Sequence, residues 1–372
     1  MKKIPVAIPY LAKNAAKHVQ TALNENAISG LFGENIAKFE SMFAEFIGTK
    51  YAVSCSSGTS ALHLALAASG IKEGDEVLVS SLTNMATFFA VIYCGAKPIP
   101  VDINIDTYNI DADDLEKKIT SRTKAILIVH LFGQPCEMDA IQRLVKRHKL
   151  LLIEDCAESH GATYKTGQTG SFGNAGCFSL FANKIINTGE GGIITTNDYE
   201  LVKRIQSLKS LAFGDAEKFI HKEIGFNYRM DNLKASLGVS QMEIVDDLVG
   251  MKMSMGEGYD QLLAENKNIT LPVKQDNATN VYWMYLIRLI GKCGDKRSDV
   301  IRLLSEAGIE VRQGFASYTL QPFCSKEDRS AYGCPVAESV SFNTLYLPSS
   351  HDISYEDQQY VCSTLAAILE EI

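Results

Sequence analysis

The chain has 372 residues, 46% of them hydrophobic and 22% charged, with a formal net charge of −8. This composition belongs to a folded enzyme-like protein with a sizeable core and excludes large-scale disorder, while the acidic balance argues against a nucleic-acid-binding surface. No apolar run reaches the ~18 residues a membrane helix needs, no signal-peptide stretch precedes Pro9, and the nine cysteines, none in a Cys-x-x-Cys pair, read as small core residues of a cytoplasmic protein.

In chain order, residues 11–46 read as two helical pieces separated at Ser29–Gly33, with Phe39, Phe43 and Phe46 on one face. Strands and helices then alternate. Strands are expected at Tyr51–Cys55, Glu76–Ser80, Pro98–Ile103, Lys124–Leu131 and Leu150–Asp155, with helices over 61–69, 86–93, 112–119 and 138–148. Because these strands are nearly all apolar, the pattern predicts an α/β domain with a mostly parallel sheet covered on both faces. Two more strand-like runs, Cys177–Phe181 and Gly192–Thr195, flank a polar connection rich in glycine. A helix over 199–211, a polar loop to Gly225 and one long helical stretch from Met230 to Glu265 follow. Past Ile269, short strands at Tyr282–Leu289 and Ile309–Arg312 with helices over 297–307 and 355–370 predict a smaller α+β unit. The expected division is 1–245 for the large domain and 246–372 for the small one.

Three places could carry chemistry. Ser56-Ser57-Gly58-Thr59-Ser60 follows a strand and opens a helix, where hydroxyls and backbone N–H groups either cradle a phosphate or simply cap the helix. It is neither a Walker loop nor Gly-x-Gly-x-x-Gly. Asp155 ends an apolar strand, the place where α/β folds put ligands. It could hold a cationic ring nitrogen, bind a metal or cap the next helix, but Glu154, Glu158 and His160 form no metal-ligand pattern with it. Lys184, in the connection after Ser179, is either a surface turn residue or a desolvated amine acting as a nucleophile. A phosphate cradle, an aspartate for a pyridinium and a lysine before a glycine-rich turn together make the parts list for pyridoxal phosphate.

The motifs also carry a resemblance. Ser57-Gly58-Thr59-Ser60-Ala61-Leu62, Val129-His130-Leu131-Phe132-Gly133, Ile153-Glu154-Asp155-Cys156-Ala157-Glu158, Phe178-Ser179-Leu180-Phe181 to Lys184, Thr188-Gly189-Glu190-Gly191-Gly192 and Gly225-Phe226-Asn227-Tyr228-Arg229-Met230 occur in that order. The chain thereby resembles the nucleotide-sugar aminotransferases of the DegT/StrS type, and within them the GDP-perosamine synthase group. The resemblance implies fold type I of the pyridoxal-phosphate enzymes (aspartate-aminotransferase-like) and a cytoplasmic homodimer. It implies transfer of an amino group from L-glutamate to a nucleotide-linked keto sugar, a 4-keto-6-deoxy sugar by expectation, for surface polysaccharide such as O-antigen.

Carried over residue by residue, the resemblance makes Lys184 the Schiff-base lysine and proton shuttle. Asp155 becomes the partner of the pyridine nitrogen. Gly58 and Thr59, with Ser57 and Ser179, become the phosphate site. Glu158 lies near the cofactor's ring oxygen, Asn227 reaches the phosphate of the other subunit, and Arg229 serves a carboxylate or the structure.

Three positions depart from the pattern: Asn84, where relatives stack an aromatic ring on the cofactor and Met85 is the neighbour that could substitute; Ala27, where relatives often carry Trp; and Thr319, where many have His near the mouth of the substrate site. Two rival readings remain. A sugar dehydratase on the same fold carries His at the lysine position, which Lys184 opposes, and a non-catalytic sensor has no need of Lys184, Asp155 and Ser179 together.

Overall fold

The computed structural model describes residues 3–214, 217–221 and 223–372. Its centre is a seven-stranded sheet. The strands in chain order are β1 (Tyr51–Cys55), β2 (Glu76–Ser80), β3 (Lys97–Val101), β4 (Thr123–Val129), β5 (Leu151–Asp155), β6 (Ala175–Ser179) and β7 (Gly192–Thr196), and they lie side by side as β1-β7-β6-β5-β4-β2-β3. From β6 to β3 all neighbours are parallel, while β7 runs antiparallel to both β1 and β6. Every residue of β2 and β7 is buried, as expected of strands covered on both faces. The helix Gly58–Ala68 is apolar nearly all round, with Ala61, Leu62, Leu64, Ala65 and Leu66 buried. It packs on the sheet beside the helices Ala86–Tyr93 and Tyr199–Lys209, which also touch the sheet. In register, Val129 pairs with Asp155 and Asp155 with Cys177. The carboxyl ends of β4, β5 and β6 therefore meet at one edge, and the site forms there.

The C-terminal part builds a four-stranded antiparallel sheet in the order Ile269–Thr270, Tyr285–Leu289, Thr344–Leu347, Arg312–Gln313. Tyr259, Leu263, Val300, Leu304, Val361 and Leu365 from three helices pack with Tyr285, Ile287 and Leu289 into a separate core. Ile4 bridges Ile309 in this region, and Val6 N–H donates to Glu310 Oε2 at 3.2 Å. Several contacts join the two parts. Asp102 accepts from Val336 N (3.0 Å) and Ala337 N (2.8 Å) and so caps the helix Pro335–Val340. The Phe88 and Tyr318 rings stack at 4.1 Å, and Lys97 pairs with Asp328 at 2.9 Å.

Sequence and structure part in three places. The single helix expected from Met230 to Glu265 is two helices, Asn232–Met242 and Val245–Leu263. Ile244 adopts φ −127° at the break, where Glu243 turns out to Asn14, His18 and Lys38. The expected strand Ile309–Arg312 pairs only at Arg312–Gln313, and Thr344–Leu347, central in its sheet, escapes a periodicity reading because it has only four residues.

The helix Val245–Leu263 carries a buried lysine, Lys252, whose ammonium donates to the Ser349 carbonyl oxygen. Burial pushes its pKa down to about 7. An unfolded lysine titrates near ~10.4, so between the two values the unfolded chain binds the extra proton and stability rises with pH; below the lower value the full cost of the buried charge is present. Lys252→Met is therefore expected to raise the urea midpoint at pH 6 and to raise it less at pH 9, with gains differing on the order of 2 kcal/mol. Equal changes at the two pH values would refute the sign.

Candidate active site

The phosphate-sized end of the site is the start of the helix Gly58–Ala68. Ser57 has extended backbone (φ −165°) and forms a reciprocal capping box: Ser60 N–H donates to Ser57 Oγ at 3.1 Å and Ser57 N–H to Ser60 Oγ at 2.9 Å. Capping and anion binding are thus not rivals here. The box satisfies Ser57 and Ser60 and leaves the Gly58 and Thr59 N–H groups without an acceptor among the described residues. Both residues line a cavity of about 380 Å³, and orphan donors at a helix start suit an anion. Two glycines permit the geometry. A Cβ on Gly58 would stand 2.7 Å from Ser179 Cβ, and one on Gly192 would stand 2.2 Å from the Ser57 carbonyl oxygen.

At the end of β5, Asp155 is 5% exposed. Its Oδ2 accepts from Thr87 Oγ1 at 2.8 Å and its Oδ1 from Ala157 N at 3.1 Å. Desolvation pushes its pKa up, against the pull of these donors and of Lys184 and His130. Glu158 is also buried, and its Oε2 accepts from Phe132 N at 2.7 Å. That N–H is presented by a left-handed residue, Phe132 (φ +53°), a strained conformation that persists only where surroundings enforce it. Desolvation raises the Glu158 pKa.

Lys184 stands 9% exposed between these carboxylates. Its Nζ lies 3.7 Å over the centre of the Trp283 ring and has no hydrogen-bond acceptor among the described residues. Trp283 is itself fixed by a 2.8 Å bond from its indole N–H to the Asn183 carbonyl. Burial lowers the Lys184 pKa, with Glu158 and Asp155 pulling the other way. A desolvated amine with no hydrogen-bond partner is the state in which lysine is a nucleophile.

The cavity collects Ser57, Gly58, Thr59, Asn84, Asp155, Glu158, Ser179 and Lys184. Asn227 lies elsewhere: it is exposed and bridges to Ser210, while its neighbour Tyr228 accepts from Ser56 N at 2.9 Å behind the cradle. Arg229, half-buried, does not line the cavity. Asn84 lines it but spends its amide oxygen on Ala86 N at 3.0 Å. Met85, half-buried, packs against the core and does not line the cavity. Thr319, where relatives carry His, is closed off. It is 2% exposed, donates to Glu338 Oε1 at 2.6 Å and does not line the cavity. Ala27 accepts from Asn232 Nδ2 at its carbonyl, at 2.5 Å, and donates its N–H to the Ala22 carbonyl at 2.9 Å.

The sequence reading missed the far wall, made of Trp283, Arg312, Phe315 and Tyr346. Phe132 stacks on it, 5.3 Å from Phe315 and 6.0 Å from Trp283. The one available signal was that Trp283 is the chain's single tryptophan. His130, Glu154 and Cys156 come close enough together for a metal, but their donor atoms are already committed. The Glu154 oxygens accept from His130, Gly170, Phe172 and Gly173, and His130 Nδ1 accepts from Cys136 N. This cluster braces the strand that ends in Asp155.

Chemically, the site can bind an anion at one end, hold a buried cation at Asp155 and present a reactive amine between them. The sequence model of the DegT/DnrJ/EryC1/StrS aminotransferase family matches residues 9–366. The chain belongs to this family. It is similar to the GDP-perosamine synthases of Caulobacter vibrioides (40% identity over 370 residues, 99% of each chain) and Escherichia coli O157:H7 (38% over 365 residues, 98% of each). Its fold matches that of Spr1654 from Streptococcus pneumoniae, solved in its PLP form, with TM-score 0.92, 25% identity and coverage of 100% of this chain and 99% of that one. The protein is an aminotransferase of fold type I, and its family uses pyridoxal 5′-phosphate. The donor set fits that group: free N–H donors for a phosphate, a buried carboxylate for a pyridinium and an unpaired amine for an aldehyde.

Proposed function

We propose that this enzyme moves the amino group of L-glutamate to a keto group of a nucleotide-linked sugar, a 4-keto-6-deoxy sugar in the simplest reading, for surface polysaccharide or a related glycan. The observation that carries the reading is Lys184, a buried amine without an acceptor among the described residues, lining one cavity with the orphan N–H groups of Gly58 and Thr59 and the carboxylate of Asp155. The names of the similar proteins, GDP-perosamine synthases, support the choice of a nucleotide-linked sugar.

Bound pyridoxal phosphate supplies the electron sink that lets a Cα–H bond break. The chain supplies the rest. Ser57, Gly58, Thr59 and Ser179 hold the phosphate, and Asp155 keeps the ring nitrogen protonated. Glu158 and Asn84, which line the same cavity, would lie beside the cofactor's ring, Glu158 toward its oxygen. Lys184, the amine lining the cavity, would hold the cofactor's aldehyde carbon and would carry the proton at the donor's Cα. Both tasks require the amine to be neutral for part of the cycle, which its desolvation favours. Asn227, exposed on this chain, serves the phosphate of a second copy in a homodimer. Residues 1–245 carry the cofactor, and 246–372 supply the Trp283–Tyr346 wall. A cytoplasmic location accords with a substrate class made there. Among the described residues no helix is long and apolar enough to cross a membrane.

The test is to incubate the purified protein with a panel of 4-keto and 3-keto nucleotide sugars and glutamate, reading the products by mass. Amination of one panel member with stoichiometric 2-oxoglutarate is expected. Cofactor binding with no amine transfer to any member would refute the reading. Loss of a sugar hydroxyl instead would favour the dehydratase.

A further inference from the structure

Asp155 is reached by a side-chain relay that none of the roles above uses. Thr87, fully buried near the start of the helix Ala86–Tyr93, donates its hydroxyl hydrogen to Asp155 Oδ2 at 2.8 Å. Thr83 Oγ1 lies 3.0 Å from Thr87 Oγ1. A hydroxyl has one hydrogen to give. Since that of Thr87 goes to Asp155, Thr83 is the donor to Thr87, and both hydroxyls point their hydrogens toward the carboxylate. The turn that aims them is fixed by Asn84, whose amide oxygen accepts from Ala86 N at 3.0 Å and whose carbonyl accepts from Thr87 N at 3.1 Å. The residue that gives up ring stacking thus holds the turn carrying the relay.

We propose that Thr83 and Thr87 form a donor relay that keeps Asp155 ionised and aimed, and through it sets how firmly the cofactor's pyridine nitrogen holds its proton. Both are positioning residues, and the second clause rests on the role given to Asp155 under the proposed function. A carboxylate in a dry site takes up a proton unless donors favour its charged form. Around Asp155 stand Lys184 and His130, which favour its charge, and Glu158, Cys156 and Cys177, whose own ionisation its charge opposes. Thr87 is the side-chain hydrogen-bond donor to it among the described residues, and Ala157 N–H is the backbone one. Removing one donor from a buried carboxylate is worth roughly 1–2 pH units in its titration midpoint.

The experiment uses the full-length chain freed of cofactor. The infrared carbonyl band of the protonated Asp155 carboxyl is followed against pH and assigned by its loss in Asp155→Asn. Thr87→Val, nearly isosteric but without the hydroxyl, is expected to raise the midpoint by roughly 1–2 pH units, and Thr87→Ser to keep it near wild type. Thr83→Val is expected to raise it by less, and it carries the test if Thr87→Val does not fold. An unmoved midpoint in the valine variants overturns the relay.

In the loaded enzyme, Thr87→Val is expected to shift the pH titration of the cofactor's absorbance and to lower kcat about 10-fold or more with KM little changed, with Ser restoring both. A raised infrared midpoint with unchanged cofactor spectrum and kcat overturns the link to the ring nitrogen. Because the infrared midpoints need neither substrate nor turnover, a wild-type protein that moves no amine would sink the proposed function and leave the relay standing.

Discussion

Lys184→Ala is expected to retain the fold and the cofactor site yet transfer no amine at a measurable steady rate. On the proposed reading the substitution removes both the group that would bond to the cofactor and the base that would carry the Cα proton. A positioned proton-transfer group alone contributes roughly 10²–10⁴-fold, so the combined loss should fall at or beyond the upper end. Lys184→Arg should fare no better, because a guanidinium stays charged and cannot act as the base. Single-turnover conversion of glutamate to 2-oxoglutarate measures the loss. Borohydride followed by peptide mass measures the bond: wild type should gain the cofactor on the peptide containing Lys184, and the alanine variant on none. The phosphate cradle and Asp155 are untouched in these variants, so cofactor retention separates loss of chemistry from loss of binding. Turnover within tenfold of wild type in Lys184→Ala would overturn the assignment.

The second large effect is expected at a residue with no reactive group. Gly192→Ala would place a methyl 2.2 Å from the Ser57 carbonyl oxygen and 2.9 Å from Gly58 N. Neither atom belongs to a flexible side chain. Ser57 is the N-cap of the helix and is held by its reciprocal bonds to Ser60, so either β7 or the cradle must move. Overpacking of this kind costs roughly 1–3 kcal/mol. Part of it should appear as lower thermal stability and part as weaker cofactor retention, because displacement of Ser57 carries the Gly58 and Thr59 N–H groups with it. Equilibrium dialysis of pyridoxal phosphate against the variant, beside its melting temperature, divides the two. A variant with wild-type affinity and melting point would show that the cradle is softer than its packing implies. By contrast Gly189, at φ +78° with nothing within 4 Å of an added Cβ, would cost backbone strain only.

What could be read from the residues alone follows from how local each signal is. Ser57-Gly58-Thr59, Asp155 and Lys184 each sit at the end of an apolar run, so strand, turn and reactive group are written within a few residues of one another. The wall of Trp283, Arg312, Phe315 and Tyr346 is assembled by pairing across distance, with Arg312 opposite Tyr346 in the small sheet, and no short stretch announces it. The break at Ile244 was hidden because helical periodicity continues on both sides of it, while the contacts that mark it, Glu243 to Asn14 and His18, come from the other end of the chain. Asn84 shows the limit most plainly. Read by position it was a stacking residue of the wrong kind, whereas the structure gives its amide to the backbone of the next turn. Thr319, expected at the substrate mouth, instead closes a chain of buried hydroxyls through Ser317 to Ser81.

The cap that Asp102 places on the helix Pro335–Val340 reaches beyond local stability. A carboxylate from the end of the large sheet satisfies two backbone donors of the C-terminal part, so swinging that part away would trade both hydrogen bonds to Asp102 for bonds to water. With the Phe88–Tyr318 stack beside it, this makes opening expensive and the aromatic wall a fixed mould. On the proposed reading, exchanging the preferred sugar would then be expected to turn on side chains of the wall, Trp283, Arg312, Phe315 and Tyr346, rather than on a hinge.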